Sequence, residues 1–274
     1  MSVNLFVPLA IGTQPAFSAA FSAAQIMGFA VVLFRVAGIM FFAPFYGSGA
    51  FPVQIKAVLA LLMALTLAPM MPASQLPADF SFGQIVGIIL GETLIGMVLG
   101  LTASFIFGGL QLAGQIIGFQ LGFSLVNVID PQTAVETSTV SILNNFIGLT
   151  LFLLVNGHHW FFQAVSESLR YLPAGGVHLR GPLVEEVLQL SGQMFVSGLR
   201  IAGPVVAVTL IADVVIGIIG RAAPQINILI VGMPVKTLVG LAAMSISFYF
   251  LPAYLGELFL QLSQQLTGLV HHLR

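Results

Sequence analysis

The chain contains no cysteine, which excludes disulfide bonds, cysteine metal ligands and thiol nucleophiles. Charge is also scarce. Only 6% of the 274 residues are charged, whereas a soluble domain carries about 25%. The net charge of -1 gives no electrostatic footprint for a nucleic-acid partner. We therefore expect no nucleic acid to bind, and a surface that mostly faces lipid or other protein.

Signatures of catalysis and nucleotide binding are missing as well. There is no P-loop, no dinucleotide fingerprint and no His-Glu-x-x-His zinc motif. The run Gly-Phe-Ser that ends at Ser124 superficially resembles an intramembrane serine protease, but Leu125 stands where that motif has glycine. His158 and His159 are adjacent, so they point to different helix faces, and no nearby carboxylate completes a ligand set. We expect no enzyme, no metal site and no cofactor.

What the chain does have is long apolar runs. Residues 1–34, 57–78, 93–129 and 137–166 contain no Lys, Arg, Asp or Glu. The hydrophobic fraction is 58% and the mean hydropathy is +1.06. Because a membrane-spanning helix needs about 20 mostly apolar residues, several such helices fit in this chain. We expect an all-α, membrane-associated protein. A second helix over 55–68 is predicted to be too short to span comfortably, which indicates burial inside an assembly.

The third predicted helix begins near Phe82 and carries a row of residues at four-residue spacing, listed in order as Glu92, Gly96, Gly100, Ser104 and Gly108. Residues four apart stack on one helix face, so the row predicts a groove of small residues that receives another helix closely. Glu92 has two interpretations: a member of a polar pathway, or the hydrogen-bonded anchor of a helix contact. We favour the anchor, since one isolated carboxylate does not make a proton relay.

Glycine and phenylalanine are interleaved over residues 105–123, at Phe105, Phe107, Gly108, Gly109, Gly114, Gly118, Phe119, Gly122 and Phe123. Glycine weakens a helix by about 1 kcal/mol per residue relative to alanine, and it also permits close approach or a non-helical path. An irregular backbone within a membrane is tolerated only where protein or a water-filled cavity surrounds it. The segment is therefore a candidate to line or obstruct a pore, or a site of glycine-based helix packing.

Residues 220–241 have the pattern of a helical hairpin tip between two long apolar segments, with the tip itself at Arg221, Pro224, Gln225 and Asn227. Folding about the Pro224-Gln225 bond places Asp213 and Lys236 equally far from the turn. Since both arms of an antiparallel helix pair rise equally, the two charges are predicted to lie at one depth and to pair. Arg35, Lys56, Glu92 and Arg200 are further candidates for buried or assembly contacts.

Two other helices are predicted to have special features. Phe161, Val165, Leu169 and Leu172 recur at helical spacing and predict an amphipathic helix. A long helix starts near Gly181 and is expected to continue to about Gly220. From the residues alone, a small-solute secondary transporter remains possible as a function, because glycine- and proline-broken apolar helices with isolated charges are typical of such proteins.

Several short motifs spread along the chain together indicate a family resemblance. The motifs are Arg35-x-x-Gly38, Ala43-Pro44-Phe45, Phe51-Pro52 up to Lys56, Gly91-Glu92 with Gly96, Asn156-Gly157-His158-His159, and Ala222 through Asn227 followed by Gly232-Met233-Pro234-Val235-Lys236. In these motifs the chain resembles the FliR family of flagellar biosynthesis proteins. The last motif is the most specific, and the resemblance extends over nearly the whole chain.

The resemblance implies a structural subunit of the flagellar type III export gate, which passes unfolded flagellar proteins across the bacterial inner membrane at the flagellar basal body. It implies FliP-type and FliQ-type partners, with an FlhB-type subunit expected beside them. It also implies a FliP-like region over 1–184 and a FliQ-like helical hairpin over 185–274, packed in a spiral hetero-oligomer. By position, residues 105–123 become the candidate channel plug. The virulence injectisome counterpart is the neighbouring alternative.

Overall fold

The computed structural model describes residues 23–44, 52–71, 81–123, 138–172, 174, 181–225 and 227–272. Within these ranges the chain forms seven α-helices, one short 3-10 helix and no strand, so the predicted all-α class is confirmed. The helices are α1 (Ala23–Phe42), α2 (Val53–Leu67), α3 (Phe82–Gln120), α4 (Thr139–Leu154), α5 (Gly157–Tyr171), α6 (Gly181–Ala222) and α7 (Ile228–His272). Ser124 lies outside the described residues.

Side-chain caps begin the helices α3 and α4, and α3 starts where the sequence predicts it. Ser81 and Gln84 form a reciprocal capping box at α3: the Ser81 hydroxyl accepts from the Gln84 N–H at 3.4 Å, and the Ser81 N–H donates to the Gln84 side-chain oxygen at 3.1 Å. At α4 the Ser138 hydroxyl accepts from the Val140 N–H at 3.3 Å. Each cap satisfies backbone donors that a helix start leaves without an intrahelical partner.

The second helix is longer than the sequence predicts. It begins at Val53, immediately after Pro52, and the 3-10 helix Ala68–Met70 continues it past Pro69. A proline is tolerated before the first turn, and a tighter 3-10 turn accommodates the second one at the other end. The combined stretch Val53–Met70 is long and apolar enough to cross a membrane. The expectation that this helix is too short was therefore wrong.

Five of the described helical stretches are long and apolar enough to cross a membrane. The helices α3, α6 and α7 contain 39, 42 and 45 residues. At 1.5 Å per residue they are about 58, 63 and 68 Å long, whereas the hydrocarbon core of a bilayer is about 30 Å thick. Each of the three is therefore about twice as long as a direct crossing requires, and its apolar surface extends beyond one bilayer core.

The small-residue row of α3 receives α1, as its spacing predicts. A side chain on Gly96 would collide with the backbone oxygen of Arg35, and one on Gly38 would lie 2.5 Å from the backbone oxygen of Thr93. Further along, the Ser104 hydroxyl donates to the backbone oxygen of Phe42. Because no methyl group fits between the two backbones, glycine is required where α1 and α3 meet.

The glycines further along α3 serve the same purpose against other helices. A side chain on Gly108 would lie 2.7 Å from the Met194 sulfur of α6, and one on Gly109 would lie 2.6 Å from the Ser197 hydroxyl. Gly114 packs directly against the backbone of Ser141 in α4. The glycine-rich segment is thus a continuous helix as far as Gln120, and close packing compensates for its low helix propensity.

The predicted amphipathic helix is α5, and its apolar face packs on protein. Phe161, Val165, Leu169 and Leu172 are all buried. The C-terminal half of α7 packs against α5 and also buries Phe259, whose ring contacts the Phe152 ring of α4 at 5.4 Å between centroids. The regions 1–184 and 185–274 therefore share one hydrophobic core.

A sharp turn joins α4 to α5, and the two helices meet at a 64° bend. Asn156 has a φ of 57°, a left-handed conformation that asparagine tolerates better than most residues. Gly157 follows directly and packs against the ring of Phe152, which leaves no space for a side chain. The turn therefore requires a residue that tolerates a left-handed backbone at 156 and a residue without a side chain at 157.

The α1–α3 contact makes a direct prediction. Gly96→Ala should destabilise the chain by about 1 to 3 kcal/mol, because the added methyl group forces two backbones apart. Gly87→Ala is the matched control in the same helix, since nothing lies within 4 Å of its added methyl group. This control should be neutral or stabilising by up to about 1 kcal/mol. Apparent Tm values of the purified chain in detergent measure both, and equal effects would contradict the close packing.

Candidate functional site

A charged network lies at the centre of the helices α1, α3 and α5. The Arg35 Nε donates to the Glu92 Oε2 at 2.6 Å, and the Arg35 Nη1 donates to the Ser168 hydroxyl at 2.9 Å. Both charged side chains are fully buried. The network therefore joins three helices through one guanidinium group.

The chemistry of this network favours a structural role. Removing either charge would break a fully buried ion pair, which costs several kcal/mol in a low-dielectric interior. Arg35 Nη2 has no hydrogen-bond partner among the described residues, so the arginine uses only part of its donor capacity. Glu92 is fully buried and hydrogen-bonded to another helix, which fits the anchor that we favoured over a polar pathway.

The sequence predicts Arg35 and Glu92 as candidates but does not assign them to each other, and it does not single out Ser168. A signal was nevertheless present. Arg35 precedes Gly38 by three residues, and Glu92 precedes Gly96 by four. Once the two glycines are aligned in a parallel helix pair, the two charges lie side by side. The missing information was the register between α1 and α3.

The second charged contact joins the two arms of the hairpin. The Lys236 ammonium lies 2.7 Å from the Asp213 carboxylate, with 22% and 44% of the respective side chains exposed. The pairing predicted from their equal distance to the turn is thus present within one chain. Lys236 also donates to the Gln120 side-chain oxygen at 3.3 Å. The same ammonium therefore reaches the last residue of α3.

The end of α3 is fastened to α7 by a second contact. The Thr237 hydroxyl donates to the backbone oxygen of Leu121 at 2.9 Å, which satisfies a carbonyl that the helix end leaves free. Gly122 has a φ of 83°, and the Phe123 N–H donates to the Gly118 oxygen at 3.0 Å. This is a Schellman motif, in which glycine stops the helix.

These contacts divide the nine candidate plug residues into groups. Gly108, Gly109 and Gly114 pack against neighbouring helices, and Phe107 is buried against Phe152. Phe105 is partly buried, and Gly118 and Gly122 belong to the helix stop just described. The two large side chains that remain free are at the end of the helix, where Phe119 is 72% exposed and Phe123 is 44% exposed.

The remaining candidates do not join either charged contact. Lys56 is partly buried in the first turn of α2, and Arg200 is exposed in the middle of α6. At the hairpin tip Arg221, Pro224 and Gln225 are exposed.

Asn227 caps the returning helix of the hairpin, because its side-chain oxygen accepts from the Ile230 N–H at 3.4 Å. Within the described ranges no three His, Asp or Glu side chains come together in an arrangement that could hold a metal ion.

The fold and these contacts define a class. This is an all-α, multi-pass membrane protein whose polar groups hold helices to one another, and the part of the chain that the structure describes contains no metal-ligand cluster.

The chain belongs to the bacterial export proteins, family 1, whose family model matches residues 26–262. Among its relatives, the flagellar biosynthetic protein FliR of Escherichia coli is 29% identical over 241 residues, which are 88% of this chain and 92% of the relative. The FliR of Caulobacter vibrioides is 29% identical, with 85% and 91% covered. The FliR of Bacillus subtilis is 32% identical, with 53% and 57% covered. The resemblance to the FliR family is confirmed.

The buried ion pair predicts strong coupling between its two members. Arg35→Met or Glu92→Met alone should destabilise the chain by about 3 to 5 kcal/mol, because each leaves one buried charge without its partner. The double variant should recover most of that loss, since it removes both charges. Ser168→Ala, which removes one hydrogen bond, should cost only about 0.5 to 1.5 kcal/mol. Apparent Tm values in detergent test this, and additive single effects would show that the pair is not coupled.

Proposed function

We propose that this chain, a component of the flagellar type III export apparatus, is a structural channel subunit of its export gate. In this role it passes unfolded flagellar proteins across the bacterial inner membrane at the basal body. The observation that carries the proposal is the family match over residues 26–262, together with relatives that are flagellar biosynthetic proteins. Because the relatives named above are flagellar biosynthetic proteins, we prefer the flagellar apparatus to the injectisome counterpart.

The distribution of exposed apolar surface supports an assembly around this subunit. Only 22% of the Val184–Ala222 window and 28% of the Ile230–Val270 window is buried, compared with 50% of Gln25–Phe42. Contiguous apolar surface of this size marks contact with protein or lipid. The helices α6 and α7 are also too long for one bilayer core, so part of this surface needs protein cover. We propose FliP-type and FliQ-type subunits as that cover, with an FlhB-type subunit beside them, in a spiral hetero-oligomer.

The division into a FliP-like region over 1–184 and a FliQ-like hairpin over 185–274 is part of the same proposal. Its support is the hairpin itself, in which two long helices are joined through residues 223–227 and held by one ion pair. A subunit that combines both kinds of region could close a ring built from the two separate partners. The hydrophobic core shared by the two regions would then fix the geometry of that closure.

Within this subunit we propose that the plug is formed at the end of α3. The glycines at 108, 109 and 114 set the position of α3 against its neighbours. Phe119 and Phe123 are the exposed aromatic side chains at the helix end, on either side of the helix stop at Gly122. Lys236 and Thr237 hold that end to the hairpin. A bulky apolar tip on a fixed base is suited to obstruct a channel until a substrate displaces it.

No catalytic step is needed for this function. The sequence contains no nucleotide-binding fingerprint. We therefore propose that the energy for export comes from other components of the apparatus, and that this chain contributes shape and positioning alone.

The absence of native cysteine allows a direct test of the plug, because an introduced cysteine is the only thiol in the chain. In cells treated with a mild oxidant such as copper phenanthroline, Phe119→Cys should form a disulfide with a cysteine in an export substrate that is stalled by a folded domain at its end. Phe82→Cys is the matched control, since Phe82 is 83% exposed but lies at the opposite end of α3. The measurement is the substrate adduct on a non-reducing gel.

The proposal predicts an adduct at Phe119→Cys and little or none at Phe82→Cys. Adducts of equal yield at both positions would contradict the proposal that the plug is at the end of α3. Flux of small solutes through vesicles that contain this chain alone would instead support a stand-alone transporter, and would contradict the export function as a whole.

A further inference from the structure

A groove of about 370 Å³ opens between the helices α6 and α7. The helices are joined by hydrogen bonds on both sides of it. The Asp213–Lys236 pair lies toward the hairpin tip, and toward the other end the Gln265 amide donates to the Gln193 side-chain oxygen at 3.2 Å. Between these two contacts each helix contains a proline, Pro204 in α6 and Pro252 in α7.

The lining of this groove is apolar except at a few positions. Its walls include Pro204, Val208 and Phe250. The polar lining residues are Arg200, Ser247 and Tyr254. Arg200 is exposed, and it forms no hydrogen bond or ion pair with another described residue. An arginine that lies in a long apolar helix and has no counter-ion among the described residues is a candidate binding group by its chemistry.

The spacing of charged residues along α6 indicates how deep Arg200 lies in a bilayer. Arg200 and Arg221 are separated by residues 201–220, in which Asp213 is the one charged side chain. These 20 residues are about 30 Å of helix, which equals the thickness of a bilayer hydrocarbon core. Asp213 is neutralised by Lys236 within that layer. If a bilayer encloses residues 201–220, Arg200 lies in one of its headgroup layers and Arg221 lies in the other.

Tyrosine on the facing helix agrees with this depth. Tyr249 is 81% exposed, and Tyr254 lines the groove together with Arg200. Tyrosine is enriched at the boundary between hydrocarbon and headgroups, because its ring is apolar and its hydroxyl is polar. The groove therefore combines a cation and hydroxyl groups at headgroup depth with apolar walls.

We propose that this groove binds one anionic phospholipid. The Arg200 guanidinium would bind the phosphate through two parallel hydrogen bonds, a geometry that suits arginine and phosphate. The hydroxyls of Ser247 and Tyr254 are available to the remaining headgroup oxygens. One acyl chain would occupy the apolar part of the groove and fill the space between the helices.

The size of the groove favours a lipid over a helix of a partner subunit. Its 370 Å³ lies at the small end of the range for pockets that hold small molecules, about 300 to 1,000 Å³. A partner helix has a diameter of about 10 Å with its side chains and does not enter a cleft of this volume. A partner carboxylate could reach Arg200 from outside, but it would leave the apolar part of the groove empty.

Tryptophan quenching by brominated lipid tests the proposal on the full chain. Trp160 is the single tryptophan, so Trp160→Phe provides a silent background. In that background Phe250→Trp places one tryptophan on the groove wall. The protein is reconstituted in phosphatidylcholine vesicles that contain either dibrominated phosphatidylglycerol or dibrominated phosphatidylcholine at the same mole fraction. The anionic lipid should compete roughly fivefold better for the quenching site, as expected for one arginine near a headgroup layer.

Further variants test whether the quenching reports lipid in the groove and whether Arg200 causes the preference for anionic lipid. Tyr249→Trp in the same background is the matched control, since Tyr249 is adjacent in sequence but does not line the groove, and its two lipids should quench equally. Adding Arg200→Gln to the Phe250→Trp chain should reduce the fivefold preference to about one, while Arg200→Lys should retain part of it.

Equal quenching by both lipids at Phe250→Trp would overturn the proposal, and this comparison needs no change at Arg200. A preference that survives Arg200→Gln would also overturn it, because the guanidinium would then not be the anion-binding group.

Discussion

The close approach of other helices to α3 is the constraint on which the rest of this structure depends. Neighbouring helices in a lipid environment gain little from the hydrophobic effect, so their contact relies on van der Waals packing and on polar groups that meet across the interface. Gly38 and Gly96 let α1 touch α3 backbone to backbone, and Gly109 and Gly114 do the same for α6 and α4. The buried pair of Arg35 and Glu92 lies about one turn before the first two of these glycines, on the helices α1 and α3.

Contacts with a neighbouring helix also fix the C-terminal end of α3. At its C-terminal end the helix stops at Gly122, and Lys236 and Thr237 of α7 hold the stop in place. Two exposed phenylalanines remain at this end. The hairpin formed by α6 and α7 is thus connected to the proposed plug. We expect a displacement of the hairpin to move the plug, and a displacement of the plug to move the hairpin.

Much of this organisation could be predicted from local patterns. Four-residue spacing was enough to predict the groove on α3, and equal distances from the Pro224-Gln225 bond were enough to pair Asp213 with Lys236. Both arguments need only the geometry of one helix or of one hairpin. Arg35 and Glu92 are 57 residues apart in the sequence, so pairing them needs the register between two helices, and no local pattern contains it.

The glycine-rich segment was ambiguous for a related reason. Helix propensity favours a break there, but packing against α4 and α6 outweighs propensity, and the helix continues to Gln120. Similarly, the end of α2 depends on a 3-10 turn that accommodates Pro69, and a local sequence pattern does not reveal this turn. The plug itself remains a proposal, because its function depends on partners that one chain does not contain.

A density map of the detergent-extracted complex, with its subunits counted, tests the account most directly. The account predicts one copy of this chain among FliP-type and FliQ-type subunits, with their helices against the exposed faces of α6 and α7 and with the end of α3 in the channel. A stable monomer whose α6, α7 and C-terminal end of α3 contact only lipid or detergent would contradict it.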